Sequence, residues 1–275
     1  MQNPTIVAIR SLHHRKARRE QGAFLVEGVR LTREAIAAHA AIRQILLCPE
    51  LLGEIATTLR DEIKDELGAS RIVTVGAAVM RSLAETETPQ GVVAVIALPA
   101  TPLPTFDARD GFVLILDGVR DPGNVGTLIR AAAAADCDAV ITMAGTADAF
   151  APKVVRSAMG AHFRLPVVVD CDWAFTGPAL AVLPSVCGAD GEAPLVYDAV
   201  DWSAGCAIVI GNEDHGLSAE ARRWCTATAR IPMARGVESL NASVAGAIML
   251  YEAVRQRRRA RPPVKVQIGT QRVEE

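Results

Sequence analysis

The sequence predicts an α/β protein built from two domains. Short apolar runs alternate with helix-like segments along most of the 275 residues, a pattern typical of strands and helices in alternation. A proline-rich stretch, residues 99–111, interrupts this alternation once and reads as a semi-rigid linker. Beyond it the apolar runs are nearly continuous, which is typical of a mostly parallel sheet covered on both faces. We therefore expect a small domain over 1–98 and a larger one over 112–275.

The smaller domain should contain four strands with helices between them. Residues 1–22 carry a basic cluster and are expected to form a helix leading into the first strand. The expected strands are the apolar runs 23–26, 44–48, 71–75 and 92–98. The expected helices are 30–40, 51–67 and 77–84.

The larger domain continues the alternation. Strands are expected at 112–116, 139–143, 165–169, 180–183, 207–210 and 228–231. Helices are expected at 125–135, 152–158, 218–225 and 244–255. No internal repeat and no low-complexity segment occurs, so the pattern is that of an ordinary globular domain.

Three loops of this domain combine glycine with polar side chains, each directly after an expected strand: 117–124, 211–217 and 231–243. Loops at the carboxyl ends of buried strands are where open α/β sheets bind ligands. In the third loop Pro232 stops the strand, Gly236 permits a sharp turn, and Asn241 or Ser243 is suited to cap the final helix. Taken alone, that loop could equally be a simple turn before a capped helix.

The composition is that of a soluble globular protein, with 50% hydrophobic and 22% charged residues. No apolar run approaches the roughly 20 residues that span a bilayer, and the N-terminus lacks a secretion signal, so we expect a cytoplasmic protein without a membrane segment. The cysteines and histidines lack metal-ligand spacing, so we expect no metal site and reduced core cysteines. The cysteines are Cys48, Cys137, Cys171, Cys187, Cys206 and Cys225.

The net charge of −2 argues against a uniformly basic nucleic-acid binder. Basic residues are nevertheless clustered near both ends, and such clusters can contact phosphates. The alternative is a solvated helix face or a basic tail. The N-terminal cluster is Arg10, Arg15, Lys16, Arg18, Arg19 and Arg30, and the C-terminal one is Arg255, Arg257, Arg258, Arg259 and Arg261.

The final helix is apolar on nearly all sides from Val244 to Val254, with Glu252 the main exception. One face can pack on its own sheet, and the other needs a cover. We expect a homodimer, with burial inside a larger monomer as the alternative. An ordinary dinucleotide-binding fold is disfavoured, because the stretch after the first strand of the larger domain lacks the G-x-G-x-x-G fingerprint.

The three glycine-bearing loops resemble the three signature motifs of the SpoU (TrmH-type) RNA ribose 2'-O-methyltransferases. The matching pieces are Asn124-Val-Gly126 with Arg130, Gly211-Asn-Glu213 with Gly216-Leu217, and Ile231-Pro-Met233 with Glu238-Ser-Leu-Asn241 and Ser243. The resemblance implies the SPOUT-type α/β fold with a deep trefoil knot, which periodicity alone would never justify. It also implies homodimers, and S-adenosylmethionine as methyl donor.

The resemblance further implies roles for individual residues. Arg130 should bind a backbone phosphate and stabilise the developing alkoxide, since a guanidinium is a poor base. Asn124 is expected to cap its helix, and Glu213 and Glu238 are alternatively only turn acceptors. The implied catalytic residues are Arg130, Asn124, Glu213, Ser239 and Asn241. The implied cofactor-binding residues are Gly211, Asn212, Glu213, Gly216, Leu217, Ile231, Met233, Leu240, Asn241 and Ser243.

The smaller domain resembles the substrate-binding domain of ribosomal-RNA members of this family, through FLVEGVRLTREAI at 24–36 and TPQGVVAV at 88–95. The resemblance implies ribosomal RNA as substrate, with transfer RNA or a catalytically inactive RNA-binding protein as alternatives. It does not indicate which nucleotide is modified. The residues expected to contact RNA are Arg15, Lys16, Arg18, Arg19, Arg30, Lys153 and Arg156.

Overall fold

Two β-sheets organise the chain, one on each side of the segment 99–111, which contains no helix or strand. The computed structural model describes residues 3–260. The first sheet has four strands in the order β1-β4-β2-β3, and the second has seven in the order β7-β6-β5-β10-β8-β11-β9. The predicted α/β class is confirmed.

In the smaller domain β4 pairs antiparallel with both β1 and β2, and β3 adds to β2 in parallel. The strands are β1 Ala23–Glu27, β2 Ile42–Leu47, β3 Ile72–Thr74 and β4 Val92–Ala97. The helices are α1 Pro4–Ser11, α2 Arg15–Gln21, α3 Val29–Ala37, α4 Pro49–Leu52, α5 Ile55–Leu67 and α6 Ala77–Leu83.

Two helices expected to be continuous are divided in this domain. The helix expected before β1 is two helices, α1 and α2, separated by a turn at 12–14. The segment expected as one helix over 51–67 is broken at Gly53, whose φ of 59° ends α4 before α5 begins. Glycine adopts this positive φ readily. The spacing of apolar residues does not predict such a break, because it depends on the backbone angle of one residue.

Every strand pairing in the larger sheet is parallel, as predicted. Its strands are β5 Phe112–Asp117, β6 Ala139–Met143, β7 Val167–Cys171, β8 Ser185–Ala189, β9 Leu195–Val196, β10 Cys206–Gly211 and β11 Ala227–Arg230. Its helices are α7 Pro122–Ala134, α8 Pro152–Ala158, α9 Trp173–Leu180, α10 Ala219–Trp224 and α11 Ala242–Ala260.

Helices cover both faces of this sheet. Along β5, Phe112, Leu114 and Leu116 belong to the core with α7, α8 and α11. The alternate residues Val113 and Ile115 belong to the core with α9 and α10. This two-sided burial explains why the strands read as continuous apolar runs.

The strand expected at 180–183 is wrong. Leu180 is the last residue of α9, a helix capped by Asp172, whose Oδ1 accepts the Phe175 N–H at 2.7 Å. The true strand β8 lies a few residues later, and the two-residue strand β9 was not expected. Leu180 and Leu183 are core residues in either interpretation, and a short apolar run alone does not distinguish a helix end from a strand.

The two domains pack directly against each other. Phe24 and Val26 of β1 share one apolar core with Phe150 and with Val154 of α8. The ring centroids of Phe24 and Phe150 lie 5.0 Å apart, and the ring centroids of Phe150 and His162 lie 5.3 Å apart. Burial lowers the pKa of His162 to about 4, so this histidine is neutral in the folded protein near neutral pH. The two domains therefore share one continuous apolar core.

All six cysteines are free, and five of them are buried. Burial raises the pKa of Cys187 to about 12 and that of Cys206 to about 11. These thiols stay protonated near neutral pH, which agrees with the expected role as reduced core residues.

Candidate active site

The three polar loops meet at the carboxyl edge of the larger sheet. The second and third border a cavity of about 410 Å³, a size typical of small-molecule sites. The cavity is lined by residues predicted to bind a cofactor and by the predicted catalytic residue Ser239. Those predicted residues are Gly211, Asn212, Glu213, Gly216, Ile231, Met233, Ser239, Leu240 and Asn241.

A further part of the cavity wall was missed by the sequence analysis. The end of β8 and the turn after it contribute Ala189, Asp190 and Gly191, and α11 contributes Ala245 and Met249. The signal was present as Gly188-Ala-Asp-Gly191 following an apolar run. The strand expected at 180–183 ends well before this turn, so the sequence did not predict a strand-end loop here.

A hydrogen-bonded network joins the three loops. Asn124 Nδ2 donates to Glu213 Oε1 at 2.9 Å, and Asn241 Nδ2 donates to Asn124 Oδ1 at 2.9 Å. Asn241 Oδ1 in turn accepts from the Ser243 hydroxyl at 2.6 Å. Asn124 is therefore the junction between the first loop and the other two, using its amide both as donor and as acceptor.

Asp121, and not Asn124, caps helix α7. Its Oδ1 accepts the Asn124 N–H at 2.8 Å, so the helix begins at Pro122. Asn124 sits inside the first turn with its side chain free for the network. The predicted cap of the final helix is confirmed for Asn241, whose Oδ1 accepts the Ser243 and Val244 N–H groups at 2.9 and 3.3 Å.

The Glu213 carboxylate ties the second loop to the first. Its Oε2 accepts the Arg120 N–H at 2.9 Å and its Oε1 accepts the Asp121 N–H at 3.1 Å, in addition to Asn124. Burial acts to raise the pKa of Glu213, but the hydrogen bonds from the Arg120 N–H and the Asn124 side chain outweigh it, so the pKa lies below its ordinary value. Since unfolded glutamate titrates near about 4.3, this stabilisation is fully present above that pH and is lost as the pH falls through the lower folded pKa.

Gly211 must be a glycine because the second loop folds back onto it. A Cβ there would lie 2.3 Å from the carbonyl carbon of Gly216, which itself has a φ of 65°. Asn212 holds the same turn: its Oδ1 accepts the N–H groups of Asp214 and His215, and its Nδ2 donates to Gly118 O at 2.8 Å. His215 is an exposed loop residue, as expected.

Two predicted cofactor-binding residues do not line the cavity. The Leu217 side chain is buried in the core on the α9 and α10 side, against Gly188. Ser243 is buried and holds the Asn241 amide. Both residues therefore support the conformation of the loops and do not face the cavity.

Arg130 lies on the solvent-exposed side of α7 and does not line the cavity. Within residues 3–260 its side chain makes no hydrogen bond or ion pair. Gly126 on the same helix allows α8 to approach, since a Cβ there would lie 2.6 Å from Val154 O. A cation is thus presented to solvent from a helix that is rigidly packed.

Four of the residues expected to contact RNA form ion pairs between the two domains. Arg18 is only 3% exposed and pairs with Asp148, so phosphate contact by this side chain is contradicted by its burial. Arg15 and Arg19 both pair with Asp170, and Arg156 pairs with Glu85 at 2.8 Å.

The other residues expected to contact RNA are exposed. Lys16 lies 3.8 Å from Glu20, whereas Arg30 and Lys153 make no hydrogen bond or ion pair within the described part of the chain. In the C-terminal basic cluster, Arg255 pairs with Glu252. Arg261 and the rest of the tail lie outside the described residues.

Between residues 3 and 260, no group of three or more histidine, cysteine or acidic side chains could hold a metal ion. None of the helices described over the same range combines the length and the apolar character that a membrane span requires.

Two family matches divide the chain. Residues 111–251 match the SpoU rRNA Methylase family, and residues 3–94 match the MRM3-like substrate binding domain. The chain is 35% identical over 244 residues to 23S rRNA (guanosine(2553)-2'-O)-methyltransferase RlmP of Bacillus subtilis, covering 88% of this chain and 92% of that protein. It is 34% identical over 305 residues to rRNA methyltransferase 3A, mitochondrial, of Danio rerio, covering 90% and 69%.

Solved structures give the same picture. The SpoU methyltransferase AviRb of Streptomyces viridochromogenes, in complex with AdoMet, superposes with a TM-score of 0.82 at 30% identity, covering 93% of this chain and 98% of that one. An AdoMet-bound rRNA methyltransferase of Sinorhizobium meliloti superposes with a TM-score of 0.81 at 30% identity, covering 92% and 95%.

Proposed function

The chain belongs to the SpoU rRNA methylase family, and from this premise we propose that it transfers a methyl group from S-adenosylmethionine to a ribose 2'-oxygen of ribosomal RNA. The observation that carries the proposal is the cavity at the carboxyl edge, bordered by two of the motif loops and joined through Asn124 to the third. Its position is where open α/β sheets bind small ligands.

The charge of the cavity suits this methyl donor. Asp190, Glu213 and Glu238 line it, whereas no lysine or arginine of the described residues does. Such a lining complements a cationic ligand and disfavours a dinucleotide, whose phosphates need cations or backbone donors. S-adenosylmethionine is a sulfonium cation and supplies an electrophilic methyl group when bound.

The apolar part of the lining suits an adenine ring. Ile231, Met233 and Leu240 border one part of the cavity, and Met249 of α11 borders it from the helix side. We assign the backbone groups of the first three to adenine. Gly211 and Gly216 allow the ligand to approach the main chain closely.

The remaining polar groups have positioning roles. Ser239 and Asn241 line the cavity, and the Glu213–Asn124–Asn241 network holds the three loops in one arrangement. Correct placement of reacting groups can supply a large part of a rate enhancement. A guanidinium donates hydrogen bonds and is a poor base, so we assign Arg130 to an RNA phosphate and to the negative charge that develops on the attacking oxygen.

A homodimer is part of the proposal. On α11 the side chains of Val244 and Tyr251 are 46% and 50% exposed, two turns apart, with the half-buried Ile248 between them. This exposed face, Val244, Ile248 and Tyr251, is an apolar stripe on one side of the helix. Helix α11 packs on α7, the helix that carries Arg130.

We expect Tyr251→Glu to separate the dimer, since it buries a charge against an apolar partner surface. Sedimentation at micromolar concentration should show wild type at twice the 29.1 kDa chain mass and the variant at one chain mass. Phe175→Glu is the matched control, because Phe175 is 66% exposed on α9, on the opposite face of the sheet. A monomeric wild type would refute the dimer.

Two finer features complete the proposal. We propose that the larger domain carries the deep trefoil knot that the family resemblance implies. The chain that would form it runs from β11, between β8 and β9, to α11, which packs on α7. We also propose a cytoplasmic site of action, as for a bacterial enzyme acting on ribosomal RNA.

The function is tested by binding and by mapping. Titration calorimetry on the full chain should show binding of S-adenosylmethionine and none of a nicotinamide dinucleotide. Comparison of total RNA from cells with and without the gene should then show one 2'-O-methyl position lost from ribosomal RNA. If the lost position lies in transfer RNA, the substrate assignment is wrong while the chemistry stands; binding without any lost position would mean a protein that has lost catalysis.

A further inference from the structure

Arg18 is a buried cation at the boundary between the domains. Its Nη1 donates to Leu12 O at 2.7 Å and to His13 O at 2.8 Å, both within its own domain. Its Nε donates to Asp148 Oδ2 at 3.1 Å, in the loop that follows β6 of the other domain. A buried charge needs this degree of pairing, because an unpaired one is strongly destabilising.

Asp148 belongs to a short segment, residues 146–148, that also holds the first motif loop. The Thr146 hydroxyl donates to Leu116 O at 2.8 Å and accepts the Gly118 N–H at 3.1 Å. One residue on, the Ala147 N–H donates to Val119 O at 2.9 Å. Segment 146–148 is therefore bonded on one side to the smaller domain and on the other to residues 116–119.

The next residues of that loop carry the bonds on to the active site. The Arg120 and Asp121 N–H groups bind the Glu213 carboxylate, which Asn124 also binds. An unbroken series of short contacts thus runs from Arg18 through 146–148 and 118–121 to the Glu213–Asn124–Asn241 network. Coupling between sites is carried by packed, hydrogen-bonded series of this kind.

We propose that Arg18 and Asp148 are positioning residues for methyl transfer: their ion pair sets the place of loop 118–121, and through it the geometry of the reaction site. RNA held by the smaller domain then meets an active site whose arrangement depends on the docking of that same domain. The proposal rests on the methyltransferase function proposed above, and it assigns to Arg18 a role other than RNA contact.

One other ion pair between the domains, Arg164 with Glu34, has no such connection. Arg164 donates to Glu34 at 2.7 Å, and its side chain is 67% exposed. It follows α8 at the opposite, amino-terminal edge of the sheet, ahead of β7. This pair spans the same boundary without contacting segment 146–148 or loop 118–121, which makes Arg164→Ala the matched control.

Two variants test the series at different points. The double replacement Arg18→Met with Asp148→Asn removes both charges together, so that no unpaired buried charge threatens folding. Thr146→Val keeps the ion pair and the side-chain shape but removes the hydroxyl that bonds to Leu116 and Gly118. Thermal unfolding of each variant establishes that it is folded at the assay temperature.

Amide hydrogen exchange on the full chain is the readout that does not depend on activity. We expect the amides of residues 118–121 to exchange at least about tenfold faster in both variants and at the wild-type rate in Arg164→Ala. Single-turnover methyl transfer with saturating RNA should fall by roughly tenfold or more in both, with RNA affinity within about twofold of wild type.

The outcomes separate the possible failures. Unchanged amide exchange at 118–121 in the double variant would overturn the proposal. A loss of RNA affinity with an unchanged single-turnover rate would also overturn it, because the ion pair would then serve only to dock the two domains. If the wild-type protein does not methylate RNA, the proposed function fails by itself, and the exchange comparison still decides whether Arg18 and Asp148 position the loop.

Discussion

Arg130→Ala is expected to abolish methyl transfer while leaving the affinity for S-adenosylmethionine unchanged. The cavity is lined by residues of other loops and of α11, and Arg130 is not among them. Its exposed guanidinium, unpaired within the described residues, is available to an RNA phosphate and to charge developing on the ribose oxygen. Removing it takes away transition-state stabilisation, an effect of about 100-fold to 1,000-fold for one such donor.

Arg130→Lys separates charge from geometry. Lysine keeps the positive charge but loses the planar fork that can engage two oxygens at once. We therefore expect this variant to be strongly impaired as well. Single-turnover rates with saturating RNA distinguish slower chemistry from weaker binding, and calorimetry reports the methyl donor separately.

The control for Arg130 is Arg223→Ala, which removes an exposed arginine of α10 that also has no ion pair within residues 3–260. It should methylate at the wild-type rate. If Arg130→Ala does so too under saturating conditions, Arg130 is a surface residue and the proposed mechanism is wrong.

Asn124→Asp should have the second largest effect. The replacement keeps the side-chain shape and the acceptor for Asn241, but the group that donates to Glu213 Oε1 at 2.9 Å becomes a second carboxylate oxygen. Like charges at this distance repel, and the loops that Glu213 ties together must separate. A displacement of about 1 Å can reduce a rate by roughly 100-fold, and we expect a loss of at least that size together with weaker binding of the methyl donor.

The effect can be traced to the contact itself. Adding Glu213→Gln to Asn124→Asp restores a hydrogen bond in the reverse direction, because the new amide at position 213 can donate to the new carboxylate at position 124. We therefore expect partial recovery of the methyl-transfer rate. Recovery should be incomplete, because an amide nitrogen at Oε1 no longer accepts the Asp121 N–H. Thr127→Ala, an exposed change one turn along α7, is the control. Equal rates for Asn124→Asp and wild type would exclude a role for the network in positioning.

The sequence by itself determined the parallel sheet and the position of its functional edge. Strands β5 and β10 were predicted to within two residues at each end, because uniform burial leaves continuous apolar runs. The polar loops after these strands and the loop before α11 were predicted from their proline and glycine residues. Proline fixes φ and glycine permits a positive φ, and both effects are independent of tertiary contacts. The Asn241 cap is local in the same way.

Only the tertiary structure decided which polar groups meet. The sequence did not predict that Asp190 lines the cavity. The short apolar run at 180–183 suggested a strand there, whereas the run begins at the last residue of α9, and the true strand before Asp190 starts later. Asn124 resembled a helix cap, whereas its partners Glu213 and Asn241 lie 89 and 117 residues further along the chain.

Arg18 shows the same limit most clearly. In the sequence it is one member of a basic cluster and resembles its neighbours, which are exposed. In the fold it is buried against Asp148, 130 residues away. Burial and partner depend on how the two domains dock, and docking is set by the shape of the shared core around Phe24 and Phe150, which periodicity along the chain does not encode.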